Sequence, residues 1–357
     1  MRSKTRRWIP AVAVPVAVLA ASLAMPAFAS ASGSLPSKSP EQILSLLASS
    51  HGTPFSGTVE EKADLGLPTL PSSDPSGGSS STEPLGLLTG SHTARVFSSG
   101  DGAQRVQIVT DLAEEDIVRS GRDVWVYDSK KSEATHTVLP EALAHDRSSG
   151  TPRTPAEVVD TILSEVEPVS TLTTAADVSV AGRDAYELVI TPKDDTTLVG
   201  SVSVAVDSET GLPLRVVVAA KGQTDPALSV GFQSIDVSAP PASTFTFTPP
   251  AGAKVTERSA PSSAPRHDRS TSEKPTVIGS GWSSVVGAVL ATRDPSAGSP
   301  AAGQQAGAVA KALEQAFTPV SGGKVLQTAL FSVYLTTDGH LYVGAVPADR
   351  LVSLVAS

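Results

Sequence analysis

The side chains that could do chemistry are scattered along this sequence and form no known catalytic or metal-binding motif. None of the six histidines lies four residues from another, the spacing at which one helix face presents two metal ligands. The absence of cysteine excludes thiol catalysis, disulfides and thiolate metal sites. No nucleophile elbow, phosphate loop or dinucleotide fingerprint is present. We therefore expect neither an enzyme nor a cofactor nor a metal site.

The charged groups that remain are best explained as solvated turns and loops. Residues 145–147 and 267–269 each read His-Asp-Arg within polar stretches, and charge runs of this kind usually face water. Glu114, Glu115 and Asp116 form an acidic run that we place at a turn between strands. Calcium would need more alternating oxygen ligands and a glycine, so we favour a solvated turn over a calcium site.

The N-terminal segment predicts export from the cytoplasm. Four basic residues within the first seven precede an apolar run over residues 8–24, and Ala27 and Ala29 then form a small-x-small cleavage site. We expect a signal peptide over residues 1–29, cleaved near Ala29. The alternative is a retained N-terminal anchor. In either case the protein would work in the periplasm or extracytoplasmic cell envelope.

The net charge argues against two classes of partner. The chain carries −9, and removal of the four basic residues in the N-terminal segment would leave −13. Such an acidic chain would repel nucleic-acid phosphates and anionic membrane surfaces. We therefore expect no nucleic-acid partner.

Two helices are predicted by apolar stripes at helical spacing. The first begins at Ser39-Pro40, with Ser39 as its cap, and runs over residues 40–49. The second runs over residues 155–165. Their apolar positions include Ile43, Leu44, Leu46 and Leu47 in the first helix, and Val158, Val159, Ile162 and Leu163 in the second.

Alternation of apolar and polar residues predicts about ten antiparallel strands around these helices. A change of parity between Phe232 and Ile235 predicts a β-bulge. Phe245 and Phe247 alternate with threonines and are assigned to a last strand. The other predicted strands cover residues 53–62, 91–97, 104–110, 115–119, 122–128, 133–139, 183–192, 201–207, 213–221 and 227–237. Many strands with few helices indicate a mainly β (α+β) fold, a large curved sheet with helices over one face.

Two polar stretches divide the chain further. Residues 63–90 and 251–275 are rich in Ser, Pro and Gly or charge, and they predict a flexible insertion and an interdomain linker centred on 257–275. Residues 276–357 then form a small α/β unit. Its predicted helices are 281–290 and 306–317, and its predicted strands are 325–330, 331–336 and 341–346.

Motifs in the strand region resemble those of the LolA family of periplasmic lipoprotein carriers. Residues 121–128 (GRDVWVYD) and 133–139 are similar to two successive family strands. Residues 185–193 (AYELVITPK) and 245–252 (FTFTPPAG) are similar to two later motifs, in the same order. The resemblance covers residues 38–256 and extends to LolB and the two-domain regulator RseB.

This resemblance implies an unclosed β-barrel covered by helices, with an apolar cavity that holds lipid or the acyl chains of a lipoprotein. The lid would use Ile43, Leu46, Leu47, Val158, Val159 and Ile162. The cavity would be lined by Tyr186, Leu188, Ile190, Val202, Val204, Val206, Phe232, Phe245 and Phe247. The competing interpretation is that these nine side chains form an ordinary packed core.

Two functions follow from the resemblance. The first is a monomeric lipoprotein or lipid carrier of the cell envelope. The alternative is an RseB-like envelope-stress regulator that binds a membrane-anchored anti-sigma factor. The insertion at 63–90 and the unit at 276–357 are foreign to the short carriers, and they leave the cargo and the partner open.

Overall fold

The structure, a computed structural model, describes residues 35–67, 89–110, 113–140, 166–259, 276–289 and 316–356. Two sheets and two α-helices account for most of them. The helices are α1 (Pro40–Ser49) and α2 (Ala348–Ala356). The predicted helices over 155–165 and 306–317 lie wholly or almost wholly outside the described residues, as do the N-terminal segment and most of the two polar stretches.

The larger sheet contains thirteen strands among the described residues. They are β1 (Phe55–Asp64), β2 (Thr89–Ser98), β3 (Gln104–Thr110), β4 (Ala113–Ser120), β5 (Asp123–Asp128), β6 (Glu133–Val138), β7 (Ser170–Thr174), β8 (Val178–Val180), β9 (Arg183–Pro192), β10 (Val199–Asp207), β11 (Pro213–Ala220), β12 (Pro226–Asp236) and β13 (Lys254–Ser259). Their order is β13-β6-β5-β4-β3-β2-β1-β12-β11-β10-β9-β7, and β8 also pairs with β9. The sheet is not closed, which confirms the predicted mainly β class.

One edge of this sheet departs from the predicted antiparallel pattern. Strand β13 lies within the stretch predicted to be unstructured, yet it pairs with β6 in parallel, from Lys254 opposite Glu133 to Ser259 opposite Val138. The Lys254 Nζ lies 2.6 Å from Glu133 Oε1. The composition of this stretch gave no sign of a strand, because its ladder partner lies far away in the sequence.

The bulge predicted in β12 is present. Thr58 pairs with Ser234 but the next residue, Val59, pairs with Phe232, so Gln233 is the extra residue. The interruption places apolar side chains of both parities against the core, as the change of pattern predicted.

The smaller sheet is antiparallel. Its strands are β14 (Thr276–Ile278), β15 (Val285–Val289), β16 (Thr318–Val320), β17 (Gly323–Gln327), β18 (Ser332–Thr336) and β19 (His340–Gly344). They are ordered β14-β15-β19-β18-β17-β16, and α2 packs on this sheet through the buried Leu351.

Two local assignments in the sequence analysis are wrong. Residues 281–290 were predicted to be helical, but Gly281–Ser283 is one 3₁₀ turn and Val285–Val289 is a strand. The β-branched valines of this run favour a strand, and pairing with β19 decides the outcome. Phe245 ends a 3₁₀ turn, Ala242–Phe245, and is not in a strand. Two prolines precede that turn, and proline cannot donate to a ladder.

The insertion predicted over 63–90 is narrower than its composition suggested. Strand β1 continues to Asp64 and β2 begins at Thr89. Leu65 is buried in a cluster with Ala220 and Ala227, and its carbonyl oxygen accepts a hydrogen bond from Ala329 N at 2.9 Å. The neighbouring sheet therefore orders a residue that local composition assigned to a loop.

Candidate binding site

Six of the nine predicted lining residues lie on one face of strands β9 and β10. Register partners in an antiparallel pair share a face. Their cross-strand pairs are Tyr186 with Val206, Leu188 with Val204, and Ile190 with Val202. These six side chains therefore form one continuous apolar face of the sheet.

Helix α1 covers one end of this surface. Its Ile43, Leu44 and Ala48 are buried against Tyr186, Leu188 and Val206, while Leu46 and Leu47 pack around them. The helix begins where the sequence predicts, because the Ser39 hydroxyl accepts from Gln42 N and the Gln42 side chain accepts from Ser39 N. The predicted lid residues Val158, Val159 and Ile162 lie outside the described residues.

The smaller sheet covers the other end of the same surface. Val199, Val202 and Val218 form a buried cluster, and Trp282, Leu330 and Ala345 pack against it. Thr197 Oγ1 and Leu198 N both donate to the Ala345 carbonyl oxygen at 2.8 Å. Trp282 Nε1 donates to Ser170 Oγ at 2.7 Å. These contacts between the two sheets were not predicted.

Between the two covers, apolar side chains remain partly accessible. Val204 packs against both the α1 cluster and the cluster under the smaller sheet, and it is only half-buried. Ile190 is half-buried beside it. The described part of the surface is therefore covered at both ends, with Val204 and Ile190 partly accessible between the two covers.

The other three predicted lining residues lie elsewhere. Phe232 packs in a separate cluster with Val59, Ala205 and Leu214, and its ring meets Phe55 edge-on at 5.7 Å. Phe245 is buried at the end of its 3₁₀ turn. Phe247 contacts Trp125 and Tyr127, with ring centroids 5.4 and 5.8 Å apart. The structure does not bring these three rings together with the six residues on β9 and β10.

An ion pair fixes the 3₁₀ turn to the sheet. Arg105 Nε and Nη2 donate to the two carboxylate oxygens of Asp116 at 2.9 and 2.6 Å, and Arg105 Nη1 donates to the Thr244 carbonyl oxygen at 3.1 Å. Glu114, Glu115 and Asp116 all lie in β4, so the prediction of an acidic turn is wrong, and Asp116 is buried. Residue type alone did not reveal that Arg105, in the adjacent strand β3, forms an ion pair with Asp116.

A second polar cluster was also missed. The His136 ring nitrogens lie 2.9 Å from Asp123 Oδ1 and 2.7 Å from Glu257 Oε2, and the ring stacks on Trp125 at 4.3 Å. Partial burial lowers the pKa of His136, but the two carboxylate hydrogen bonds outweigh it and raise the pKa. The pairing of β13 with β6 brings Glu257 next to His136, so no local sequence motif predicts this site.

A polar groove lies at the β7 edge of the larger sheet, at the other end of the strand order from β13. Its volume is about 520 Å³, and it is lined by Glu41, Glu167, Pro168, Ser170, Thr171, Leu172 and Lys193. None of the nine predicted lining residues contributes to it. It joins α1, the start of β7 and the end of β9.

Metal-binding clusters and membrane-spanning helices are both absent from the described residues. They contain no group of three or more His, Cys, Asp or Glu side chains placed to hold a metal ion. Neither of the helices in the described ranges has the length and hydrophobicity that crossing a bilayer requires.

The described residues thus form a large unclosed sheet with few helices and a second small sheet. No protein-family model matches the sequence, and no curated protein matches it significantly. Solved structures are similar at low sequence identity. The complex of MucA and MucB from Pseudomonas aeruginosa is 16% identical with a TM-score of 0.45, over 88% of this chain and 96% of that one.

Two shorter solved structures, one of them a LolA superfamily protein, are similar over a smaller share of this chain. NE2245 from Nitrosomonas europaea is 13% identical with a TM-score of 0.25, over 59% of this chain and 99% of that one. LprF from Mycobacterium bovis is 13% identical with a TM-score of 0.29, over 58% and 99%. Likenesses at this level do not define a function for the chain.

Proposed function

We propose that this protein is a non-catalytic, extracytoplasmic binding protein that captures a segment of a membrane-anchored partner protein, as an envelope-stress regulator does. The observation that supports this function is the seating of the smaller sheet on the larger one. In a carrier, Val202 and Val218 would face the bound lipid. Here they contact Trp282 and Leu330 instead. A stored lipid would have to displace that cover.

The energetic comparison favours a protein partner. Removing Trp282, Leu330 and their neighbours from an apolar surface costs about 25 cal/mol for each Å² exposed. A lipid entering there must first offset that cost. A partner segment that binds at an edge or rim leaves the contact between the sheets intact.

Site-specific photocrosslinking in intact cells of the source bacterium would test the proposal. A photoreactive residue at Lys193, in the groove, should crosslink one membrane-anchored protein. The same residue at Asp225, an exposed turn position, serves as the control. Equal crosslinking from both sites, or crosslinking from neither, would contradict the proposal.

A second candidate, the lipid carrier, is favoured by the partly accessible apolar side chains of Ile190 and Val204 between the two covers. Native mass spectrometry of the exported protein would then show a bound lipid mass. Val204→Trp should abolish that mass because the larger side chain would occupy the space that a lipid needs, while Val109→Trp, at an exposed position of β3, should leave it unchanged. Detection of the protein mass alone in all three samples would exclude this candidate.

A further inference from the structure

Strand β7 ends the larger sheet, and its outer edge has no strand partner among the described residues. The sheet order terminates at β9-β7, with Ser170 opposite Pro192 and Thr174 opposite Leu188. The sequence STLTT is short and threonine-rich, and no strand is predicted there. An open edge displays backbone donors and acceptors that can pair with another extended chain.

The hydrogen-bond alternation shows which groups face outward. In an antiparallel pair, every second residue exchanges hydrogen bonds with its partner. Lys193 N donates to the Val169 carbonyl oxygen and Ala175 N to the Glu187 carbonyl oxygen, both at 2.9 Å. The odd-numbered residues therefore bond to β9. The N–H and C=O groups of Leu172 and Thr174 point away from it.

The groove lies along this edge and carries an acidic rim. Glu41 projects from the first turn of α1, and Glu167 precedes β7. Lys193 Nζ donates to the Glu167 carbonyl oxygen at 2.6 Å, which holds the ammonium at the groove wall. The hydrogen bond from the Ser39 hydroxyl lowers the pKa of Glu41, so this carboxylate is ionised at neutral pH.

Taken together, the edge and the rim select one kind of occupant. Main-chain pairing requires an extended peptide, and alternate side chains of such a strand point to the two faces of the sheet. Two carboxylates against one lysine favour a basic side chain on the face that meets the groove.

We propose that β7 is the docking edge for the partner, which adds as a further strand and places a Lys or Arg side chain against Glu41 and Glu167. This inference rests on the proposed function and names the surface and the chemistry by which it would operate. The contacts are mostly to backbone, so affinity should depend on extended conformation and on basic charge more than on a particular sequence.

Binding of a capped (Val-Lys)₄ peptide to the full chain, measured by fluorescence anisotropy, tests the inference. Thr174→Pro removes an outward N–H without touching the ladder to β9, and proline is tolerated at such edge positions. Thr174→Val is the matched control, since it keeps the N–H with a side chain of similar size. We expect about tenfold weaker binding for the proline variant and unchanged binding for the valine variant.

Two further comparisons test the contributions of charge and of main-chain hydrogen bonding separately. Glu167→Gln should weaken binding of (Val-Lys)₄ severalfold. It should also reduce the preference of the protein for (Val-Lys)₄ over (Val-Glu)₄. A peptide N-methylated at alternate residues should not bind. Equal affinity of the proline and valine variants, equal affinity of the methylated peptide, or no binding at millimolar peptide would overturn the inference.

The outcome is separable from that of the proposed function. If the protein still crosslinks a membrane-anchored partner while Thr174→Pro has no effect, only the docking edge is wrong. If no membrane-anchored partner crosslinks while (Val-Lys)₄ still binds and Thr174→Pro still weakens that binding, the edge binds extended basic peptides and only the proposed function fails.

Discussion

At the scale of single residues, a buried ion pair stabilises the turn that joins β10 to β11. Arg183 Nε and Nη2 donate to the two Asp207 carboxylate oxygens at 2.7 and 2.8 Å, and Nη2 also lies 2.9 Å from Glu209 Oε2. Thr210 N adds a hydrogen bond to Asp207 at 2.8 Å. Burial raises the pKa of Asp207, but these partners outweigh it and lower the pKa. The turn from β10 to β11 is thereby fixed.

Replacing Arg183 should show how much the buried Asp207 carboxylate destabilises the fold when it is unpaired. We expect Arg183→Met to lower the free energy of unfolding by about 3 kcal/mol at neutral pH, because Asp207 is left buried without its charge partner. Urea denaturation measures the change. Lys254→Met breaks the exposed pair with Glu133 and should cost no more than about 1 kcal/mol. Equal losses would show that burial of Asp207 does not matter.

His136 should make stability depend on pH. Since its pKa is raised in the folded state, its stabilising contribution is complete below the unfolded pKa of about 6.5 and is lost as pH rises through the folded pKa. The gain should not exceed about 1 kcal/mol, because the Asp123 and Glu257 carboxylates are mostly exposed.

Comparison with His136→Gln isolates this contribution. The difference in free energy of unfolding between the two proteins should be larger at about pH 5.5 than at about pH 8.5. A wild-type advantage that grows with pH would contradict the assigned sign.

At the scale of elements, the seating of α1 depends on one turn. Gly211 has φ +74°, and a Cβ there would lie 2.1 Å from the Leu46 carbonyl oxygen in the helix. Gly222 has φ +76°, and no atom of the described residues lies within 4 Å of such a Cβ. The two glycines therefore share a backbone conformation and differ in the space around them.

This difference predicts unequal costs for the same substitution. Gly222→Ala should cost about 1 kcal/mol, from the left-handed backbone alone. Gly211→Ala should cost about 3 kcal/mol or more, because α1 must also move away from the turn. Urea denaturation of both variants provides the measurement, and similar losses would show that α1 is not tightly seated.

At the scale of the whole molecule, the two sheets are joined through Trp282. Its ring lies on the cluster of Val199, Val202 and Val218, and its N–H is bonded to Ser170 at the start of β7. The groove edge and the smaller sheet thus share a contact. A partner bound at β7 would therefore adjoin both sheets.

Loss of this contact should separate the unfolding of the two sheets. We expect wild type to unfold in one calorimetric transition and Trp282→Ala in two, with about 2 kcal/mol lost from the first. Tyr342→Phe, which alters the smaller sheet's own core, should retain one transition. A single transition for Trp282→Ala would show that other contacts are sufficient.

Local pattern and tertiary contact contributed differently to what could be predicted. The strands around Tyr186, Val204 and Phe232, the cap at Ser39 and the bulge in β12 follow from periodicity and from side-chain chemistry within a few residues. Strand β13, the burial of Asp116 and the 3₁₀ turn at Phe245 depend on partners more than a hundred residues away or on neighbouring strands. Periodicity carries no information about such partners.

The sequence by itself determined a β-rich, acidic chain without catalytic motifs, and it determined which face of β9 and β10 is apolar. Only the tertiary structure decided what covers that face, because burial depends on where the smaller sheet docks. It also decided that β7 is an edge, since an edge is defined by a neighbour that is absent from the described sheet and not by any residue in the strand itself.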